Sequence, residues 1–370
     1  MDRTVDVVVV GGGVIGVAVA HALAGAGVGV ELVERDGLAT HASGRNQGLV
    51  IGPHPPEMKA LAERGIELYS ALHERSDGAF FFDREPHGCL MIGDEPGLGR
   101  SELTAIEPLL GPSVTVGTYN ADARRIDPGA AVATMADEAR RAGARIRCGV
   151  AVRDLLRRGD RVTGVLTDEG RLSAGTVVVA AGPWAWQVCR STSFDVPVRG
   201  VRGYLVVTRP APFRLRHAIE DASWSETKKG LTTPTVGELA DGKAAPPAIA
   251  GLLQQDGAGR LLLGASLQTS TTDHAENQAE AVAGVCRRAA ELVPAVRSVP
   301  VAEIRTCRRP LSADGLPLHG PVPGVDGLVL ACGHGSQGIT WGAGSGEAVA
   351  AALLDGRWDP ALAPARFVAD

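Results

Sequence analysis

Residues Val5 to Val10 form an unbroken apolar run that stops at Gly11-Gly12-Gly13-Val14-Ile15-Gly16, a GxGxxG pattern that constrains the local fold more tightly than any other stretch. A short apolar run bounded by glycines reads as a fully buried parallel strand. From Val14 to Ala26 small and apolar residues dominate without a proline, which predicts a helix, and Gly16, Ala18 and Ala20 let that helix lie close to a sheet. A second strand, Val28 to Val33, ends at Glu34. Strand, glycine turn, helix and strand fit within about 30 residues, the length of a βαβ unit. In such a unit Gly11 permits the tight turn, Gly13 leaves room for a pyrophosphate, and Gly16 brings helix and strand together, while the helix start at Val14 and Ile15 presents N–H groups to phosphates. Glu34, followed by Arg35, stands where a carboxylate accepts hydrogen bonds from an adenosine ribose, which argues against a glycine turn without a ligand. This unit alone does not separate a nicotinamide from a flavin dinucleotide.

Composition removes several other classes. With 370 residues, 45% hydrophobic and 21% charged, the chain can bury a large core as one large domain or two moderate ones. The net charge of -5 is spread along the chain rather than gathered in blocks, so nucleic acid is not an expected partner. Six cysteines lie far apart without CxxC spacing, which argues against a disulfide framework or a zinc site; no metal is expected. No basic region followed by a cleavage site precedes the first strand, and the apolar runs are too short or too glycine-rich to span a bilayer, so a cytoplasmic location is expected. There is no HExxH, no P-loop Gly-Lys-Ser/Thr and no GxSxG, which leaves zinc hydrolysis, nucleotide hydrolysis and α/β-hydrolase chemistry without support.

Further along, Ala130 to Ala142 reads as a helix, followed by Gly143 and a short strand. Val150 to Leu172 alternates around two tight turns and predicts a small antiparallel meander, and Thr176 to Ala180 predicts a buried strand. Leu328 to Cys332 is a strand and Ile339 to Leu354 a helix of small residues. Tyr204 to Thr208 and Arg260 to Leu263 are strand candidates, and 226–250 reads as a mobile surface loop. The expected fold class is α/β: a discontinuous Rossmann-type dinucleotide domain (1–50, 130–190 and 305–370) with an interleaved α+β substrate domain (51–129 and 191–304) built on a mainly antiparallel sheet.

After the second strand comes Ala42-Ser43-Gly44-Arg45-Asn46-Gln47-Gly48, and with the glycine unit it resembles the D-amino-acid oxidase superfamily of FAD enzymes, which includes glycine oxidase, sarcosine oxidase and D-amino-acid dehydrogenase. The resemblance covers most of the chain, with gaps in the substrate domain. It implies FAD as cofactor, with Ser43, Gly44, Arg45, Asn46, Gln47 and Gly48 around the pyrophosphate and ribityl chain. It likewise implies adenine contact near Val152 and a flavin-side turn at Ala181, Gly182 and Trp184. Near the C-terminus Gly333-His334-Gly335-Ser336-Gln337-Gly338-Ile339-Thr340 forms a second GxGxxG between strand and helix. The resemblance sets this helix start against the pyrimidine end of the flavin, where its dipole stabilises negative charge.

For chemistry, Arg308-Arg309-Pro310 followed by Asp314-Gly315-Leu316-Pro317 is similar to the segment whose arginine clamps the substrate carboxylate in these relatives, which points to Arg309. A guanidinium suits that task because it makes two parallel charge-assisted hydrogen bonds. Gln337 and His334 sit in the glycine loop, where they can face the substrate. In covalent-flavin relatives a cysteine at the offset of Cys307 is bonded to the flavin, whereas the Arg-Pro sequence here follows the noncovalent branch, so both forms stay open. The strand Arg260 to Gly264 carries leucine where sarcosine oxidase has its oxygen-activating lysine, which weakens a fast-oxidase reading and leaves the acceptor, oxygen or another, undecided. The expected reaction is oxidation of the C–N bond of a small amino acid: a D-amino acid, glycine, or an N-substituted or cyclic one. The alternatives are a flavin dehydrogenase of a 2-hydroxy acid and a flavin subunit of a larger dehydrogenase.

Overall fold

The computed structural model describes residues 3–222, 247–269 and 278–368. Its two large sheets meet a different need of the sequence. The first has the order Leu318–Pro321, Leu328–Cys332, Gly170–Val179, Arg3–Val10, Val30–Glu34, Arg145–Cys148. Its central strands run parallel, with Val7 opposite Val30 and Thr176, and Val10 opposite Val33 and Val179. Because successive side chains alternate between faces, a strand covered on both sides must be apolar throughout. Val7 and Val9 pack with helices Val14–Gly25, Pro56–Arg75, Pro128–Arg141 and Gly338–Asp355, while Val8 and Val10 pack on the opposite side with Leu155, Val162 and Val165 of the meander. Three of the helices approach closely through small residues: a Cβ on Gly344 would meet the carbonyl oxygen of Leu61.

The second sheet has the order Val301–Ser312, Val198–Pro210, Arg260–Thr269, Ala248–Gln255, Ala218–Asp221, Cys89–Ile92, Val116–Asn120, Leu98–Gly99. It is antiparallel except between Ala218–Asp221 and Cys89–Ile92. Helix Gln278–Leu292 packs on one face, where Val285, Ala289 and Leu292 meet Ile219, Leu253 and Val206. The overall architecture is therefore a Rossmann-type α/β half joined to a half built on a mainly antiparallel sheet.

Several local expectations need adjustment. Thr176 to Ala180 is the end of a longer strand, Gly170–Val179, whose first half closes the meander and whose second half joins the parallel sheet. The boundary expected at 305 falls inside Val301–Ser312, which pairs along its length with Val198–Pro210. Helix Pro56–Arg75, within 51–129, packs on the helices of the first sheet instead of the second sheet. The surface loop expected over 226–250 lies outside the described residues as far as 246, and from Ala248 the chain is strand, because Leu252 and Leu253 are buried against neighbouring strands. Among the described residues no helix is long and apolar enough to cross a membrane.

Candidate active site

A cavity of about 550 Å³ lies between the two sheets, and nearly every candidate residue of the sequence lines it. At one end the first glycine loop is packed to its limit. Gly11 has φ +117, and a Cβ there would lie 2.5 Å from the Ala180 carbonyl oxygen; a Cβ on Gly16 would collide with the carbonyl oxygen of Gly11. No side chain except hydrogen is compatible with this cradle. The helix that follows begins with Gly13 as N-cap, which brings no side-chain cap, and Ser43 Oγ instead accepts the Val14 N–H at 3.0 Å. The buried Glu34 accepts the Gly12 N–H through Oε2 at 2.6 Å and the Asp36 N–H through Oε1 at 2.8 Å.

The segment 42–48 crosses from this cradle to the second sheet. Asn46 donates to the carbonyls of Ala42 and Ser43, both at 2.9 Å, and its Oδ1 accepts the Gly48 N–H at 2.7 Å. Gln47 Nε2 donates to the carbonyls of Leu252 at 2.8 Å and Leu262 at 3.1 Å, and Arg45 Nη1 to that of Thr306 at 3.2 Å. The side chains of Asn46 and Gln47 thus brace the segment against protein backbone, and Ala42, Ser43, Arg45, Asn46, Gln47 and Gly48 line the cavity. Near the first helix the Arg35 guanidinium lies 4.0 Å over the ring of Trp184, and His41 stands 4.7 Å from that ring. Val152, Ala181 and Gly182 line the same end; Gly182 has φ +53 with open space where a Cβ would be.

At the other end stands the second glycine loop. Gly335 N–H donates to the Pro310 carbonyl at 2.8 Å, which ties the loop to the strand carrying Arg309. Helix Gly338–Asp355 begins at Gln337 with no side-chain cap, so its first amides, at Gly338 and Ile339, are at the cavity wall. His334 does not offer a free ring: it is 2% exposed and its Nε2 lies 3.1 Å from Nε2 of His319. Burial lowers the pKa of His319 to about 3 and that of His334 well below its usual value, so the two rings form a neutral pair with one N–H shared between them. The pair joins the glycine loop to strand Leu318–Pro321, a contact that no local sequence pattern announces. Gln337 and Ser336 remain at the wall.

Arg309 reaches the cavity from the edge strand Val301–Ser312, with Nη1 donating to the Ser266 carbonyl at 3.0 Å. Its path passes directly over Gly203, where a Cβ would fall on Nη1. Burial lowers its pKa, and the Cys307 sulfur opposes that; a guanidinium stays charged throughout the working range of proteins. Arg308 alternates to the other face and does not line the cavity. Cys307 does line it, but burial raises its thiol above the usual value despite the charges of Arg309 and Arg45. Cavity residues that sequence reasoning missed include Gly203, Glu220 and Leu252; no local pattern marks Glu220, which lies in the short strand Ala218-Ile219-Glu220-Asp221.

A long mononucleotide pair would find two glycine cradles, two helix starts and a carboxylate at the expected ribose position along one cavity, so the residues present suit a dinucleotide. The family model described as "FAD dependent oxidoreductase" matches residues 6–352. The chain is 30% identical to glycine oxidase of Pseudomonas aeruginosa over 98% of this chain and 97% of that one. It is 28% identical to hydrogen cyanide synthase subunit HcnC of the same organism, over 96% and 92%. A crystal structure of glycine oxidase from Geobacillus kaustophilus superposes with a TM-score of 0.81 at 23% identity, covering 99% of this chain and 100% of that one. The chain belongs to the FAD-dependent oxidoreductase family and is an FAD-binding oxidoreductase.

Proposed function

We propose that the protein oxidises the C–N bond of a small amino acid. The observation that carries this reading is the Arg309 guanidinium, placed by Gly203 and Ser266 in the wall of the cavity that also holds both glycine cradles. When bound there, FAD supplies the hydride acceptor. Arg309 would clamp the substrate carboxylate with charge-assisted hydrogen bonds and hold the α-carbon in a near-attack pose. The α-carbon loses its hydrogen with the bonding electron pair, the nitrogen lone pair closes the C=N bond, and the nitrogen releases its proton to solvent. Water then hydrolyses the imine. A substrate whose amine arrives neutral requires no protein base, which suits a cavity whose buried histidine, His334, is a neutral partner of His319.

We assign the remaining roles on the same basis. The amides at the start of helix Gly338–Asp355 and the side chain of Gln337 would stabilise negative charge at that end of the cavity. Gly11, Gly13, Gly16, Ser43 and the backbone of 44–48 would hold the pyrophosphate, with Glu34 and Arg35 toward the ribose and adenine. A thiol held in its neutral form is a poor nucleophile, so the noncovalent reading is preferred for Cys307. The relatives named oxidase and the relative named as a subunit leave the electron acceptor as either oxygen or a partner protein.

The test is anaerobic mixing of the yellow holoprotein with D-amino acids, glycine, N-methylated and cyclic amino acids, and 2-hydroxy acids, following the visible flavin band. Bleaching by an amine is expected. Bleaching by hydroxy acids alone would replace this reading with the 2-hydroxy-acid one.

A further inference from the structure

Beside the first glycine loop, four side chains from two distant segments meet at the rim of the cavity. Arg35, Asp36 and His41 follow the strand Val30–Glu34, whereas Trp184 ends the turn Gly182–Trp184 that comes after the strand Gly170–Val179. Asp36 Oδ2 accepts from Arg35 Nε at 3.0 Å and lies 2.7 Å from His41 Nε2. The Arg35 guanidinium stands 4.0 Å over the Trp184 ring, and the His41 ring lies 4.7 Å from the same indole at a tilt of 59°. The four contacts close into a ring, from Trp184 to Arg35, Asp36, His41 and back to Trp184.

This ring sits where the cavity meets solvent. Arg35, His41 and Trp184 line the cavity, yet the side chains of Arg35 and His41 are 40% and 37% exposed, and Asp36, outside the wall, is 48% exposed. Behind the ring, the Asp36 N–H donates to Glu34 Oε1 at 2.8 Å and the other oxygen of that carboxylate accepts the Gly12 N–H, which chains the ring to the glycine cradle. The His41 contact holds the Asp36 carboxyl below the usual carboxylate range, so the ring keeps this charge at neutral pH. Each link is weak alone, as exposed ion pairs and cation–π contacts are. Their closure into a ring matters more, because a ring that joins two segments lining one mouth has to part before a long ligand can pass in either direction.

We infer that Arg35, Asp36, His41 and Trp184 form a clasp over the Glu34 end of the cavity that sets how fast FAD enters and leaves, not how tightly it is held. The links join protein to protein, so opening them costs the same before and after binding, and a clasp that slows exit slows entry by the same factor. A side chain that merely touches the cofactor behaves differently: its loss speeds release and leaves entry unchanged.

The test uses the FAD-loaded protein, diluted to nanomolar concentration while the return of free-flavin fluorescence is followed. The initial slope gives the release rate, the end point gives the dissociation constant, and their quotient gives the rate of entry. The natural protein is compared with Asp36→Ala, His41→Ala and the double variant. Each single variant should release FAD about tenfold faster with an unchanged dissociation constant, and the double variant should be no faster than the quicker single one, because a ring cut once is open. Faster release matched by weaker binding would make these side chains ordinary contacts and overturn the inference. Unchanged release, effects that multiply in the double variant, or flavin that stays attached to the denatured natural protein would overturn it as well. Should Asp36→Ala be purified without flavin, His41→Ala decides by the same criteria of rate and affinity.

Discussion

The two ends of the cavity are built in opposite ways. Around the first glycine loop the polar side chains Glu34, Ser43 and Asn46 are bonded to backbone groups, beside glycines where a Cβ would collide with neighbouring backbone. Around the second sheet the surface is made of side chains, Arg309 and Glu220 among them, set on strands that are far apart in sequence. A backbone site recognises a phosphate chain, which is common to many enzymes. A side-chain site recognises one class of substrate and can change without disturbing the first.

If that contrast holds, damage at the first end removes the cofactor and damage at the second removes turnover. The largest effect is expected for Gly16→Val, whose side chain collides with the Gly11 backbone; it should give protein purified without its yellow colour and a loss of stability of several kcal/mol, on the order of an overpacked core, measured by flavin content and thermal melting. Gly203→Val should displace the Arg309 guanidinium and lower kcat/KM roughly a hundredfold, about 3 kcal/mol, with flavin content retained. Flavin loss from Gly203→Val would erase the distinction between the two ends.

The His319–His334 pair sharpens the comparison through pH. Both rings are neutral when buried, whereas an unfolded imidazole titrates near 6.5, so the unfolded chain takes up protons first as pH falls. Their contribution is complete above about pH 6.5 and declines as pH falls toward about 3, the value for folded His319. The melting temperature of the natural protein should therefore drop more steeply below pH 6.5 than that of His319→Leu/His334→Leu; parallel curves would contradict the neutral pair. The smallest effect is expected for Ser43→Ala, which removes the acceptor for Val14 N–H and should cost about 1 kcal/mol, read as a fivefold weaker apparent affinity for FAD by order of magnitude.

The same contrast explains what was legible in the sequence. Gly11, Gly16, Gly333 and Gly335 announce a backbone site because their conformations and contacts admit few other residues. The strands of the parallel sheet are continuous valine runs for an equally local reason, burial on both faces. Helix Pro56–Arg75 escaped because its buried stripe, Met58, Ala62, Gly65, Tyr69 and Leu72, keeps helical spacing but is made partly of small residues. Arg309 was found only through resemblance, and Glu220 not at all, since the cavity that unites them arises from strand order rather than from any local pattern. Asn46 and His334 line the cavity, yet their hydrogen bonds run to the protein's own backbone and to His319.

The most direct test of a cofactor held by backbone and a substrate held by side chains is the anaerobic reductive half-reaction of Arg309→Ala with an amino acid that bleaches the natural protein. Unchanged flavin content with reduction slowed on the order of a hundredfold or more, and weakened substrate saturation, is the predicted result. Reduction at the natural rate and affinity would contradict the assignment of Arg309 as the carboxylate anchor and with it the division between the two ends.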